Sequence, residues 1–341
     1  MFSHESAAQH PTAHAYEEHK EKIMRTPLTD RFGLAVPVVG APMAGAASGR
    51  LAAAISTSGG LGMVGAGGWA TTAWIAEQGR IAAASGRAWG VGLLAWVLEA
   101  NPAQVDAVAE LAPPLVSVSY GPYQRHLAIL KQAGSAVATQ VGTLAEARAA
   151  EQAGVDLIVA RGGEGGGHGR NDVATLPLLQ AVLDQVSVPV LAAGGIATAR
   201  GLAAVLAAGA AGAWVGTAFL ACPEATVVPA ARERIVSAGE TDTSYGRVFD
   251  VGLRQAWPPE YGGRALRNRF FESWEGREPE LASDDHAHAE LLAALERHDF
   301  DTACIYAGQS VGLVQRSRPA AEVVADLATA ADLLRRTASV T

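Results

Sequence analysis

Residues 188–219 read VPVLAAGGIATARGLAAVLAAGAAGAWVGTAF, and this stretch decides the fold. An apolar run ends in Gly194-Gly195, an Ala/Leu-rich helical pattern follows, and a second apolar run ends in Gly216-Thr217. An apolar run, a turn and an amphipathic helix form one βα unit. The stretch therefore predicts two consecutive parallel strands joined by a helix.

The same theme repeats along the chain before this stretch. Eight apolar runs occur, at 38–41, 61–64, 89–94, 115–118, 136–139, 157–160, 188–192 and 213–215. Helical patterns separate them, at 48–58, 71–85, 102–111, 122–132, 143–152, 175–186 and 198–208. Eight alternating units, with strands apolar on both faces, predict a closed (β/α)8 TIM barrel. An open doubly wound sheet is the alternative.

Four of the helical patterns begin at a residue that commonly caps helices. These predicted N-caps are Ser48, Thr71, Thr143 and Thr198. A hydroxyl at this position can accept a hydrogen bond from a backbone N–H that the first helical turn leaves free.

The composition changes after Phe219, where charged and aromatic residues become frequent and the strand rhythm stops. We expect a small helical insert, or second domain, at 226–309, over the barrel mouth. The barrel would then comprise 28–225 and 310–341, with an N-terminal arm at 1–27. A single amphipathic helix is predicted at 319–336.

The bulk composition excludes several classes of protein. Of the 341 residues, 49% are hydrophobic, so the chain can bury a large core. The net charge is −8 and no basic stripe stands out, which argues against nucleic acid as a partner. No apolar stretch is long enough to span a membrane. Cys222 and Cys304 lack zinc-site spacing and are interpreted as buried apolar residues, which fits a cytoplasmic protein. The N-terminal arm, with His4, His10, His14 and His19, does not resemble a signal peptide.

The loop after the sixth run carries the candidate catalytic residue, His168. The loop reads Arg161-Gly-Gly-Glu164-Gly-Gly166-Gly167-His168-Gly169. So many glycines indicate backbone lying against a ligand, because glycine is costly in an ordinary packed element. At the catalytic end of a barrel strand, His168 can accept or deliver a proton near neutral pH. Glu164 could instead hold the loop by accepting backbone hydrogen bonds.

Two adjacent glycine motifs predict a phosphate site. Gly194 and Gly195 follow the seventh run, and Gly216 and Thr217 follow the eighth. Free backbone N–H groups at helix starts favour an anion, and barrels often bind phosphate at these two loops.

Two other strand ends offer contacts for a planar ring. Ala41-Pro42-Met43 follows the first run and forms a flat apolar turn. Gln140 follows the fifth run with an amide that can hydrogen-bond a cofactor. A simple turn explains the first of these equally well.

Taken together, these residues resemble the nitronate monooxygenase family, formerly called 2-nitropropane dioxygenases. The resemblance runs from about Thr26 to Gly312. It rests on five stretches, which are the turn ending in Ala41-Pro42-Met43, 58–62, the His168 loop, 193–196 and 216–219, and the 308–310 loop also fits.

The resemblance implies a barrel with a second domain over its mouth and non-covalently bound FMN. Gly194, Gly195, Gly216 and Thr217 would then grip the phosphate, while Met43 would border the isoalloxazine ring. The other implied FMN contacts are Ala41, Pro42, Gln140, Arg161, Gly166 and Gly167. His168 matches the family's active-site histidine. An alkyl nitronate, or a nitroalkane, would react with dioxygen to give a carbonyl compound and nitrite, and a homodimer is compatible with the family.

Three positions depart from the family pattern. Gly92 stands where many members have Asn, and Arg161 and Trp214 stand where many have Gln. Two alternatives stay open. One is an NAD(P)H-dependent oxidoreductase like the flavin-type enoyl-acyl carrier protein reductases, which share the barrel and the Glu-x-x-Gly-His loop seen here at 164–168. The other, motivated by the three departures, is a flavin-binding module without turnover.

Overall fold

The computed structural model describes residues 24–338 and contains a closed barrel of eight parallel strands. The barrel strands are β1 Val38–Gly40, β2 Leu61–Gly65, β3 Trp89–Leu94, β4 Leu115–Ser119, β5 Ala136–Val141, β6 Leu157–Arg161, β8 Val190–Ala193 and β9 Gly212–Val215. Strand β1 pairs with both β2 and β9, which closes the barrel. This confirms the TIM-barrel prediction and excludes the open sheet.

A helix follows each of the barrel strands. The helices up to the end of the barrel are α1 Pro27–Phe32, α2 Gly49–Thr57, α3 Thr72–Ala83, α4 Ala103–Leu111, α5 Leu127–Gln132, α6 Leu144–Ala153, α7 Thr175–Leu183, α8 Ala199–Ala207 and α9 Thr217–Leu220. Thr71, Thr143 and Thr198 cap their helices as predicted, each through its side-chain oxygen. Ser48 occupies the N-cap position without a side-chain hydrogen bond.

Alternation along the strands separates two apolar layers. On β6, Leu157 and Val159 point into the barrel, whereas Ile158 and Ala160 pack against the surrounding helices. Trp214 on β9 also fills the barrel interior and is only 4% exposed. The same alternation directs Gln140 and Arg161, at the ends of their strands, towards the interior of the barrel mouth.

The segment after the barrel differs from the predicted helical insert, because it also contains two strands. Its helices are α10 Pro229–Ser237, α11 Val248–Gly252, α12 Arg269–Trp274, α13 Glu278–Leu281 and α14 Asp285–Arg297. Strands β10 (Thr243–Gly246) and β11 (Gly262–Leu266) form a sheet with β7 (Gly167–Gly169) of the His168 loop. These glycine-rich strands lack the alternation of apolar and polar residues by which a strand is recognised in a sequence.

The segment also has an apolar core of its own, which includes Phe249, Phe270, Phe271 and Leu291. The division into a barrel at 28–225 and 310–341 and a second domain at 226–309 stays a prediction. The prediction of one helix at 319–336 was wrong, since α15 (Ala320–Ala328) and α16 (Ala330–Ala338) are separate. Between them, the Thr329 hydroxyl donates to the Asp326 carbonyl and ends the first helix.

The four histidines predicted in an N-terminal arm lie outside the described residues. Within residues 24–338, no helix combines the length and the apolar character needed to cross a membrane.

Candidate active site

The glycine-rich loop after β6 is folded around the buried side chain of Arg161. The guanidinium donates to the carbonyl oxygens of Gly165 (2.6 Å), Gly167 (2.9 Å) and Arg170 (3.0 Å), with Gly166 more distant at 3.3 Å. A Cβ on residue 169 would collide with this guanidinium. The glycines therefore let the backbone wrap closely around a cation, and the predicted contacts of Arg161, Gly166 and Gly167 with a cofactor stay predictions.

Glu164 ties the same loop to α7. Its carboxylate Oε2 accepts from the backbone N–H of Thr175 at 2.8 Å and from the Thr175 hydroxyl at 2.7 Å. The N-cap residue of α7 is Ala174, which has no capping side chain. Glu164 therefore supplies the missing cap from across the loop, in line with the hypothesis that it holds the loop by accepting backbone hydrogen bonds.

The two glycine motifs lie beside one another at the ends of β8 and β9. Gly194 and Gly195 have φ of +104° and +72°, conformations that favour glycine. The backbone N–H groups of Gly195 and Thr217 find no acceptor among residues 24–338. Unpaired N–H groups on adjacent loops can bind an anion.

A further loop links the His168 loop to this candidate anion site. The backbone N–H of Gly308 donates to the Thr217 hydroxyl at 2.9 Å, and that of Gln309 donates to the Glu164 carbonyl at 3.0 Å. A Cβ on residue 308 would lie 2.6 Å from the same carbonyl oxygen. Close backbone packing at Gly308 thus fixes the two loops relative to each other.

The turn after β1 forms an apolar wall of the mouth. The Pro42 ring packs directly over Gly92, where any Cβ would collide with it. A Cβ on Gly216 would lie 3.4 Å from Met43 Sδ and 3.5 Å from the Ala41 side chain. Gly92 is therefore explained by packing. Met43 lies beside the loop after β9, and its predicted contact with the isoalloxazine ring stays a prediction.

Gln140 and Tyr120 form a polar pair at the ends of neighbouring strands. Burial raises the pKa of Tyr120, opposed by the nearby charge of Arg161 and by a side-chain hydrogen bond with Gln140. The Tyr120 hydroxyl donates to the main-chain carbonyl of His168 at 3.1 Å. The predicted cofactor contact of Gln140 stays a prediction.

The His168 side chain is held by residues of the segment after the barrel. Its Nε2 lies 2.7 Å from Oδ1 of Asp250 on α11. The imidazole stacks on the Trp257 indole, with ring centroids 3.6 Å apart and planes 5° from parallel. Tyr306 lies against the ring at 5.0 Å and donates its hydroxyl to the same Asp250 oxygen at 3.3 Å.

The groups behind Asp250 stay protonated at neutral pH. Burial raises the pKa of Tyr306 well above its usual value, and the proximity of Cys304 and Asp250 raises it further. Burial likewise raises the pKa of the Cys304 thiol to about 12. Tyr306 is therefore a hydrogen-bond donor to Asp250, and Cys304 is a thiol.

Two buried arginines add positive charge around the mouth. Arg264, on β11, donates to the Gly163 carbonyl at 2.8 Å and to Asn171 Oδ1 at 2.9 Å. Burial lowers the pKa of Arg161, and burial together with the charge of Arg161 lowers that of Arg264. Neither forms an ion pair with a carboxylate within residues 24–338. Both guanidinium groups are instead satisfied by main-chain carbonyls, and the nearby charge of Glu164 opposes the lowering of both pKa values.

Sequence reasoning missed most of the side chains around His168. Asp250, Trp257, Tyr306 and Arg264 all come from the segment that lacks the strand rhythm. Two signals were available, the tract Trp257-Pro258-Pro259, an aromatic residue in a stiff turn, and the polar, glycine-rich loop that begins at Tyr306. Trp214, one of the three departures from the family pattern, packs inside the barrel.

Comparisons with known proteins agree with this architecture. The sequence model of the nitronate monooxygenase family matches residues 90–330. A 5-hydroxy-7a-methyl-1-oxo-octahydro-1H-indene-4-carboxyl-CoA dehydrogenase from Rhodococcus jostii is 36% identical over 67% of this chain, and the match covers 64% of that relative's length. FabK from Thermotoga maritima has a TM-score of 0.82 and 29% identity, covering 93% of this chain and 100% of its own. A nitroalkane oxidase from Streptomyces ansochromogenes has a TM-score of 0.77 and 31% identity, covering 91% and 99%.

Proposed function

Since the chain belongs to the nitronate monooxygenase family, we propose that it is an FMN-dependent enzyme that oxidises alkyl nitronates, or their parent nitroalkanes, with dioxygen. The products would be a carbonyl compound and nitrite. One observation carries the proposal. The Gly308 loop joins the His168 loop to Thr217 by direct hydrogen bonds, so the candidate acid–base residue and the candidate anion site belong to one mouth.

The residues at the barrel mouth fit FMN. Gly195 holds a positive φ of +72°, and only the Glu164 side chain, at 3.8 Å, approaches the position that a Cβ would take. With the N–H of Thr217, this forms a cradle open to a phosphate. Met43, Pro42 and Ala41 supply an apolar wall for a planar ring. FMN would supply the capacity to accept electrons from the substrate and pass them to dioxygen.

The chain's own residues would bind the substrate and handle its proton. A neutral His168 would accept the α-proton of a nitroalkane, whereas a protonated His168 would donate a hydrogen bond to a nitronate oxygen. Trp257 and Tyr306, packed around the imidazole, exclude water from two sides of it.

A second candidate is an oxidoreductase of acyl thioesters. The similarity to the Rhodococcus CoA-ester dehydrogenase favours it, since that identity of 36% is higher than those of the two structures. Such an enzyme would reduce its flavin with an acyl-CoA, or with NADH before reducing an enoyl thioester. Anaerobic bleaching of the flavin by either compound, without nitrite formation from nitronates, would favour this candidate.

A His168→Asn substitution tests the proposed role of the histidine. We expect kcat/KM for nitroethane to fall about 100-fold or more, the usual contribution of a general base. His298→Asn is the matched control, because His298 is exposed at the end of α14 with φ of +55°, a conformation that Asn adopts readily. Unchanged turnover of both nitroethane and ethylnitronate by His168→Asn would overturn the assignment.

A further inference from the structure

We infer that Asp250 is a positioning residue for His168. Its carboxylate holds the proton of the imidazole on Nε2, which leaves Nδ1 as the nitrogen that exchanges a proton with the substrate. The inference rests on the proposed function for its substrate. Its structural part concerns the protonation of one imidazole and can be tested without any turnover.

The first observation is the contact at Nε2. Asp250 is 1% exposed, and its Oδ1 lies 2.7 Å from Nε2, a distance typical of a hydrogen bond with a charged partner. An ionised Asp250 can only accept, and the hydrogen bond would then use the proton on Nε2 of the imidazole. A Cβ on Gly263 of β11 would lie 3.3 Å from Nε2, so this edge of the ring faces protein.

The second observation concerns the opposite nitrogen. Nδ1 of His168 has no hydrogen-bond partner among residues 24–338 and does not belong to the buried, unpartnered side-chain atoms found there. A nitrogen that is neither bonded nor fully covered is the one open to a ligand. When Nε2 carries the proton of a neutral ring, Nδ1 holds the lone pair.

The third observation is that the ring cannot readily turn over. Trp257 covers one face at 3.6 Å, and Trp257 is itself packed against Trp96 and Tyr120 at 5.2 and 5.5 Å. The Tyr120 hydroxyl fixes the main chain of His168. Exchanging Nε2 and Nδ1 would require this stack to open, so the proton position, rather than ring rotation, determines which nitrogen can act.

The groups around the His168–Asp250 pair leave Asp250 as the hydrogen-bond acceptor. Tyr306 and Cys304 lie beside Asp250 with raised pKa values, and both stay neutral. Arg247 lies behind Trp257 and donates to its carbonyl at 3.2 Å. The carboxylate therefore stands opposite the positive charge that arises when Nδ1 takes up a proton.

The reactions of a nitroalkane and of a nitronate should depend differently on Asp250. With a nitroalkane, the α-C–H bond breaks, its proton moves to Nδ1, and the electron pair remains on the substrate as the nitronate. The charge formed on the ring is then stabilised by Asp250, so this step depends strongly on the carboxylate. A nitronate supplied as the anion skips the proton transfer, and its use depends on Asp250 mainly through binding.

The experiment combines spectroscopy with a comparison of kinetic constants. The FMN-loaded protein is labelled with ¹⁵N-histidine, and the His168 signals are identified by their loss in His168→Asn. We expect the proton on Nε2 in the neutral ring. For Asp250→Asn, we expect kcat for nitroethane to fall about 100-fold or more, while KM for ethylnitronate changes less than about tenfold.

Asp242→Asn is the matched control, because Asp242 is an exposed carboxylate of the same segment that accepts from Gly239 N. It should leave the spectrum and the kinetic constants unchanged. A neutral wild-type ring with its proton on Nδ1 would overturn the inference, even if Asp250→Asn fails to fold. Equal loss of kcat on both substrates would also overturn it. Protein that turns over neither substrate would contradict the proposed function, while the spectrum would still test the position of the proton.

Discussion

At the scale of single residues, glycines determine how closely a ligand can approach the backbone. Gly195 and Gly154 share a left-handed conformation, with φ of +72° and +84°. Gly195 lies in the candidate anion cradle, whereas Gly154 ends α6, and no atom lies within 4 Å of the position that a Cβ would take there. The same left-handed conformation therefore occurs inside and outside the site. Substituting each glycine can thus distinguish the strain of the new residue from an effect on ligand binding.

We predict that Gly195→Ala and Gly154→Ala each cost about 1 kcal/mol of unfolding free energy, because an L-residue is strained in this conformation. Only Gly195→Ala should weaken FMN binding, by about tenfold or more, since its methyl group would enter the phosphate cradle. Flavin fluorescence titration and urea unfolding measure the two effects. Equal FMN affinity in both variants would argue against a phosphate at this loop.

His168 could be predicted as a site residue because a histidine in a glycine-rich strand-end loop has few structural uses. Asp250 could not, since it lies 82 residues further along the chain in a short helix with no local signal. Its importance depends on a tertiary contact. The stacking of Trp257 on the imidazole is invisible in the sequence for the same reason.

At the scale of elements, the loop between β6 and α7 depends on one cation. Arg161 bonds to carbonyl groups along the loop, and lysine cannot reproduce its fork of donors. We predict that Arg161→Lys costs about 3 kcal/mol and accelerates backbone amide exchange across residues 163–170. Arg148→Lys is the control, because Arg148 is exposed and contacts only Gln185 Oε1 among the described residues. Unchanged exchange in Arg161→Lys would contradict this account of the loop.

At the opposite end of the barrel, Asp156 joins α1, α5 and β5. Burial raises the pKa of this carboxyl, but the backbone N–H of Val137, Lys131 and Arg31 together outweigh that effect, so the pKa is lowered overall. A carboxylate with a lowered folded-state pKa stabilises the protein above its unfolded pKa of about 4 and loses this effect as the pH falls through the folded-state pKa.

We therefore predict that Asp156→Asn costs about 1 kcal/mol at pH 7 and progressively less below about pH 4. Urea unfolding of both proteins at pH 7, 5 and 3 measures the difference. Asp30→Asn, which removes an exposed partner of Arg25, should have little effect at any pH. A difference that persists undiminished at pH 3 would rule out the carboxylate as its source.

The elements of the barrel could be predicted because each strand is an apolar run with glycine or a polar residue at its end. The strands β10 and β11 could not. A side chain on Gly262 or Gly263 would collide with Tyr245 or Tyr306, so these strands pair through backbone and contain no apolar pattern. The break at Thr329 was missed because both flanking helices are amphipathic and alanine-rich.

At the scale of the whole molecule, the barrel supplies the candidate anion cradle and the segment after it supplies the side chains that contact His168. Strand β7 joins the two, since it leaves the barrel as part of the glycine loop and pairs with β11. The two buried arginines at the mouth, Arg161 and Arg264, could not be inferred from the net charge of −8. The eight repeated βα units predicted the architecture. Substrate specificity could not be predicted in this way, because it depends on side chains that only folding brings together.

The most direct test of the central claim is nitrite formation by the FMN-loaded protein mixed with ethylnitronate in air, alongside anaerobic absorbance spectra with NADH and with an acyl-CoA. We predict a yellow protein that releases nitrite and whose flavin is not rapidly bleached by NADH. Yellow protein that forms no nitrite but is bleached by NADH or the acyl-CoA would contradict the nitronate assignment. Protein that stays colourless with added FMN would contradict every flavin-dependent function.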